Sequence, residues 1–401
     1  MVSSEVVKDL ALKSETKIVL VVIDGVGGLP DPETGRTELE AAETPHLDEL
    51  AHKGICGLID PIGRGITPGS GPAHLSLFGY DPLRYKIGRG ALAAMGIGFE
   101  LGHQDLAARI NFATIDRDGI VTDRRARRIP TERNQELCEK LRQIEIPGVE
   151  IFVEPVKEHR AVVVFRGADL SEELTDSDPQ KIGLPAREVQ ALSPSASKAA
   201  GIVNEFITLA KDILANEKPA NMILLRGFAK HPHIPTMRDI YGLRCGAIAT
   251  YPMYKGISRI VGMDVLPTGP NISDQFGTLE RNFNSYDFFY LHIKATDSAG
   301  EDGDFDRKAE IIREIDSQVP RLTDLNPDVI VVTGDHSTPS LLKSHSWHPV
   351  PIIIYSKWCR PDSVSAFSES ECGRGSLGRF PATEVMVLAL AHALRLGKYG
   401  A

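Results

Sequence analysis

Residues 17–24, KIVLVVID, form a nearly unbroken run of β-branched residues that ends on an acid and a glycine-rich turn. A strand apolar on both of its alternating faces leaves no side for water, so it belongs inside a parallel sheet covered by helices. The same grammar returns near the other end of the chain. Residues 286–294 (YDFFYLHIK), 328–333 (DVIVVT) and 350–355 (VPIIIY) read as strands, with helical patterns at 304–322 and 382–394. Residues 45–53 (PHLDELAHK) read as a helix with Thr44 as N-cap and Pro45 in the first helical position. Strands alternating with helices at this spacing imply βαβ units.

The middle of the chain reads differently. Residues 109–115 and 120–122 suit a hairpin, 149–156 and 160–165 two alternating strands around a charged turn, and 221–226 a further strand. Helical patterns cover 130–144 and 193–215, and the polar, Asp- and Pro-rich stretch 171–185 reads as a surface loop. A chain of 401 residues exceeds what one small core supports. The expected organisation is an α/β core, 1–100 and 241–401, with a largely parallel sheet and helices on both faces. An α+β domain, 101–240, is inserted into it.

Composition narrows the function. Hydrophobic residues make up 42% and charged residues 25%, as in an ordinary soluble protein. A formal net charge of −9 argues against a general nucleic-acid or anionic-membrane binder, because both need a basic surface. The first 17 residues read as a short polar helix without the apolar core of a signal peptide, and no apolar run approaches the roughly 20 residues of a membrane span. Cys56, Cys138, Cys245, Cys359 and Cys372 are odd in number and widely spaced, which fits a reducing cytoplasm better than a disulfide framework or thiolate zinc site.

In open α/β sheets, ligands collect outside the carboxyl ends of the strands. Asp24, Asp297, and Asp335 with His336 each follow such an end, and His345 lies on the loop that approaches the strand VPIIIY from the same side. Taken singly, each reads as a turn or surface residue. Taken together on one edge, they read as a metal centre, since carboxylates and imidazoles suit Mn, Zn or Mg. Ser70, between glycines in TPGSGPAHLS, sits where the chain turns into a helix whose N-terminus favours anions, with His74 one turn on. Taken alone, Ser70 reads equally as a helix N-cap. His231 and His233 lie among prolines that define no ligand geometry, and His46 and His103 read as surface residues.

The blocks DGVGG, TPGSGPAHLSLFGYDP, IGRGALAAMG, INFATIDRDGIVTDRRARR, TDSAGEDGD, TGDHSTP and HSWHPVP run in order through most of the chain. In this the sequence resembles the archaeal-type cofactor-independent phosphoglycerate mutases of the alkaline phosphatase superfamily. The resemblance implies an alkaline-phosphatase-like core and interconversion of 3- and 2-phosphoglycerate through a phosphoserine on Ser70. It implies two divalent metal ions, Mn first and Mg, Co or Zn as alternatives. One would be held by Asp24, Ser70, Asp335 and His336, the other by Asp297, His345 and the residue four after Asp297. Many relatives carry His there and this chain carries Glu301, a harder oxygen ligand. The alternative is a solvated Glu301 with Asp302 or Asp304 as ligand.

The resemblance also assigns Arg109, Asp123, Arg124 and Arg226 of the insert to the substrate, since guanidinium groups pair bidentately with carboxylate and phosphate. Without it, DRRARR (residues 123–128) reads as a solvated charged turn. Lys255 is a further candidate, for charge on the transferring phosphoryl group. The expected partner is therefore a small phosphorylated metabolite, with no nucleic acid or membrane. Rival readings are a phosphohydrolase, a small-metabolite phosphotransferase of the homoserine kinase type, and a metal-binding protein without catalysis.

Overall fold

The computed structural model describes residues 2–400. The chain divides into two compact units, one made of residues 1–86 and 234–401, the other of residues 87–233. The first is built on an eight-stranded sheet in the order Gly378–Pro381, Ile55–Asp60, Val350–Ser356, Val329–Thr333, Ile18–Ile23, Phe288–Ile293, Cys245–Ile248, Asp264–Val265. Every residue of Ile18–Ile23, Phe288–Ile293 and Val329–Thr333 is buried, so both faces of the sheet centre are covered. Burying each Ile or Val side chain there contributes about 1.5–3 kcal/mol. Ile18–Ile23 pairs in parallel with both neighbours.

One strand runs the other way. Val350–Ser356 is antiparallel to Val329–Thr333 and to Ile55–Asp60. Its beginning therefore lies beside the carboxyl ends of the parallel strands, and the loop that enters it, carrying His345, reaches the edge where Asp24 and Asp335 emerge. In an all-parallel sheet His345 would lie at the opposite edge.

The second unit holds a five-stranded antiparallel sheet with Asp105–Ile115 at its centre, paired to Val121–Asp123, Arg160–Arg166 and Met222–Ala229, and with Glu150–Lys157 beyond Arg160–Arg166. Alternation sorts its residues. Leu106, Ala108, Ile110 and Phe112 enter a core shared with Leu137, Cys138 and Leu141 of the helix Thr131–Leu141 and with Val203, Phe206 and Ala210 of Ser197–Leu214. Arg109 and Asn111 point to the other face. The unit begins at residue 87 rather than the expected 101, because the helix Arg89–Gly96 packs on Asp105–Ile115 and Met222–Ala229. It ends at 233 rather than 240, since Met237 already bonds Val261 through its backbone N–H.

Two local expectations differ from the structure. Residues 171–185 form an irregular segment, but Ser177 and Asp178 within it are fully buried. Thr44 stands at the N-cap of Pro45–Lys53 yet makes no capping bond; its hydroxyl donates to Asp48 at 3.2 Å. The open N–H groups are met from another helix, where buried Asp316 accepts from Leu47 N at 2.8 Å and His46 N at 3.1 Å. Asp316→Ala should therefore destabilise the first unit by about 1–3 kcal/mol, the cost of stranding buried donors. Thr44→Val should change the urea midpoint little; the reverse order would show that Thr44 is the cap after all.

Candidate metal centre and arginine cluster

In the first unit, Asp24, Ser70, Asp297, Asp335, His336 and His345 come together, and all but Ser70 and His345 are fully buried. Ser70 opens the helix Ser70–Leu77, and its Oγ lies 3.1 Å from His336 Nε2. The same nitrogen is 3.4 Å from Asp24 Oδ1 and 3.2 Å from Asp335 Oδ2. Asp335 Oδ1 accepts from Gly25 N at 3.2 Å, whereas Asp24 Oδ1 and Asp335 Oδ2 are buried without a hydrogen-bond partner. Oxygens stranded in this way, around an imidazole nitrogen and a hydroxyl, form a donor set that a divalent cation satisfies.

Hydrogen bonds fix which imidazole nitrogens carry protons. Thr338 Oγ1 donates its one hydrogen to Asp297 Oδ1 at 2.7 Å, so at 2.9 Å from His336 Nδ1 it must accept. His336 Nδ1 is thus protonated, and the lone pair of Nε2 faces Ser70, Asp24 and Asp335. His345 Nδ1 lies 2.9 Å from the carbonyl of Pro68, which can only accept, and this frees Nε2 toward Asp297 Oδ1 at 3.5 Å. Glu301 Oε1 lies 3.9 Å from the same nitrogen on a side chain that is 55% exposed. Asp302 and Asp304 are exposed, and Asp304 caps the next helix by accepting from Arg307 N. Of Glu301, Asp302 and Asp304, Glu301 is the one that reaches His345. Asp24, Asp335 and His336 bring ligand atoms within 4.8 Å of one another, and so do Asp297, His336 and His345, with Glu301 at the rim of the second group.

His74 faces elsewhere. Its Nδ1 donates to the Ser70 carbonyl at 2.8 Å and lies 3.4 Å from Asp335 Oδ2, and burial holds its pKa down at about 3. A neutral ring with Nδ1–H turned to a carbonyl orients the start of the helix; it does not reach the Ser70 hydroxyl. Lys255, beside Tyr254 on the helix Pro252–Ile260, is half-buried, and burial lowers its pKa.

Several neighbours were not singled out in the sequence. Lys294 Nζ lies 3.2 Å from Asp24 Oδ2 and donates to Asp297, His292 Nε2 lies 3.1 Å from Asp24 Oδ2, and the Tyr254 hydroxyl donates to the same oxygen. Burial alone would raise the Asp24 carboxyl, but Lys294 and the His292 hydrogen bond hold it well below the usual range. Asp335 goes the other way, pushed up by burial and by the charges of Asp24 and Asp297. Three buried carboxylates thus share one ammonium. His292 and Lys294 were hidden within a run that reads as a strand; a lysine at the carboxyl end of a buried strand was the available signal.

The second unit carries an independent cluster. The register places Arg109 directly opposite Arg226, and Asn111 opposite Arg160, all on the face away from the apolar core. Like charges directly opposed in a ladder are unfavourable unless an anion joins them. Arg89 belongs to the same group: Gly227, at φ +63°, lies so close that a Cβ there would come within 2.8 Å of Arg89 Cβ. Around His159, burial and then Arg160, Arg125, Arg128 and Arg109 depress the imidazole pKa to about 4.

Asp123 and Arg124 have internal partners. Asp123 accepts from Arg125 N at 2.8 Å and Arg127 N at 2.6 Å, closing a turn in which Ala126, Arg127 and Arg128 all have positive φ. Non-glycine residues in that region cost about 1–3 kcal/mol each, and such strain collects at ligand sites. Arg124 is bidentate to buried Asp178, at 2.9 and 2.7 Å, and Arg226 lies 3.4 Å from the same carboxylate. That pairing is why Asp178 is buried in a segment expected on the surface.

Comparison with known proteins agrees with this geometry. A profile of the 2,3-bisphosphoglycerate-independent phosphoglycerate mutase family matches residues 51–221. A Thermotoga maritima protein named as a probable member is 50% identical over 401 residues, covering 99% of both chains. One from Aquifex aeolicus is 49% identical over 407 residues, covering 99% of this chain and all of its own. Among solved structures, the cofactor-independent phosphoglycerate mutase of Thermoplasma acidophilum is 32% identical with a TM-score of 0.72, covering 94% of this chain and 100% of that one. A Pyrococcus horikoshii protein is 31% identical with a TM-score of 0.83, covering 96% and 99%. Identity at this level along the whole chain makes this chain a member of the 2,3-bisphosphoglycerate-independent phosphoglycerate mutase family of enzymes.

Proposed function

We propose that the protein interconverts 3-phosphoglycerate and 2-phosphoglycerate through a phosphoserine on Ser70, with two divalent cations, manganese first. The observation that carries this is the Ser70 hydroxyl, 3.1 Å from an unprotonated imidazole nitrogen and beside two unpartnered carboxylate oxygens. Asp24, Asp335, His336 and Ser70 would hold one cation, and Asp297, His345 and Glu301 the other. When bound, the cations lower the pKa of the serine hydroxyl and offset phosphoryl charge.

The chain's own groups do the rest. Ser70 Oγ gives up its proton and attacks phosphorus, the bond from phosphorus to the substrate oxygen breaks, and that oxygen takes up one proton in exchange, giving glycerate. The other glycerate hydroxyl then attacks the phosphoserine, which loses phosphorus from Oγ and regains the hydroxyl. His336 is held by Thr338 with Nε2 toward Ser70, so the attacking oxygen is fixed before substrate arrives. Lys294 neutralises part of the acid charge that would repel a phosphate dianion. In the second unit, Arg109 and Arg226, with Arg89 and Arg160, form a guanidinium cluster that suits a carboxylate such as that of glycerate. Asp123 and Arg124, expected to bind substrate, have internal partners and would act as supports of that cluster.

Ser70→Ala should abolish isomer exchange and leave the fold intact; an enzyme still active, or one in which no phosphoserine can be trapped, would refute the covalent route. Calorimetric titration of metal-free protein with Mn²⁺ should show two cations per chain. Asp335→Asn should weaken one of them by about 10–100-fold, and unchanged affinity would remove Asp335 from the ligands. Arg226→Ala should reduce phosphoglycerate turnover far more than hydrolysis of a simple aryl phosphate, and equal losses would take Arg226 out of substrate recognition. Inorganic phosphate release measured beside isomer exchange separates the mutase from a phosphohydrolase: a mutase retains the phosphoryl group.

A further inference from the structure

Lys308, on the helix Phe305–Asp324, is fully buried and takes no part in the chemistry above. Its Nζ donates to two backbone carbonyls, Gly27 O at 3.1 Å and Thr338 O at 2.9 Å, and lies 3.7 Å from Glu38 Oε2. Both carbonyls belong to loops that carry ligand candidates: Gly27 follows Asp24 in the DGVGG turn, and Thr338 follows Asp335 and His336.

The surroundings tie the same two loops together. Glu38 Oε1 accepts from Ser340 N at 2.7 Å. Glu369 accepts from Gly28 N and from Thr37 Oγ1, each at 2.8 Å. Thr338 N donates to the carbonyls of Gly25 and Gly27. A Cβ at Gly28 would come within 1.9 Å of Glu38 Oε2, so a larger residue there would displace that carboxylate.

Stability alone does not account for a lysine here. A buried ion pair replaced by apolar residues of similar volume is often no less stable, because desolvation cancels the attraction. What an apolar residue cannot do is bond two carbonyls from different loops at one point. Thr338 is where this matters, since its carbonyl is held by Lys308 while its hydroxyl sets both Asp297 and the proton on His336.

We propose that Lys308, with Glu38, is a positioning residue of the metal centre, holding the Asp24 loop and the Asp335–His336 loop at the separation the cations require. This rests on the metal-dependent reading above. The test titrates Mn²⁺ into metal-free wild type, Lys308→Met and the double variant Lys308→Met with Glu38→Gln, at a temperature where near-UV circular dichroism shows the apoproteins folded. The double variant removes both charges, so it carries the test where the single one does not fold. In the folded variants Mn²⁺ affinity should fall by about tenfold or more. At saturating Mn²⁺ the KM for phosphoglycerate should stay at the wild-type value and kcat should recover, which general destabilisation would not produce. Wild-type Mn²⁺ affinity in the double variant would overturn the role of Lys308 and leave the metal reading standing. Wild type that takes up no Mn²⁺ would overturn both.

Discussion

Three carboxylates, Asp24, Asp297 and Asp335, are buried at one edge of the large sheet with a single ammonium, Lys294, among them. Buried like charges repel strongly, and a fold that brings them together needs further positive charge. The opposed shifts of Asp24 and Asp335 express that shortage: the carboxyl that meets both Lys294 and His292 is held down, and Asp335 beside it is pushed up. Imidazoles do not relieve it, because burial keeps His74 and His336 neutral. Divalent cations are the economical answer for such a site, and its lone pairs already face inward.

Strand direction does as much for this site as residue identity. Asp24, Asp297 and Asp335 reach one edge because their strands run in parallel, and His345 reaches it because its strand is reversed. A reversed Val350–Ser356 also explains how a loop entering a strand can hold its imidazole against Pro68, on the segment that leads to Ser70. Four strands spread along the chain thereby bring their ends to one place.

The strand-end acids were legible because unbroken β-branched runs mark buried strands and acids after them mark one edge. His345 was legible on the same ground, although the sequence does not display the direction of its strand. Lys294 and His292 were not, because inside YDFFYLHIK they read as residues of a strand. Asp178 was missed for the opposite reason. A polar stretch rich in Asp and Pro reads as surface, and only its partners, Arg124 and Arg226 from other segments, make burial of a carboxylate possible. The second unit begins earlier than expected because the helix Arg89–Gly96 packs on strands that follow it in the chain, which the sequence does not display.

Thr338 joins these observations. Nothing in TGDHSTP singles it out, yet its hydroxyl has one hydrogen and two neighbours, Asp297 and His336. Donating to the carboxylate obliges it to accept from the imidazole, so a single hydroxyl decides the tautomer of the ring beside the nucleophile. Serine could do the same chemistry, but without the methyl group its rotamer would be freer. Valine would keep the shape and lose the relay. The proton that leaves His336 Nε2 free to face Ser70, Asp24 and Asp335 is therefore placed by a neighbouring hydroxyl, on a residue whose own carbonyl is held by a buried lysine.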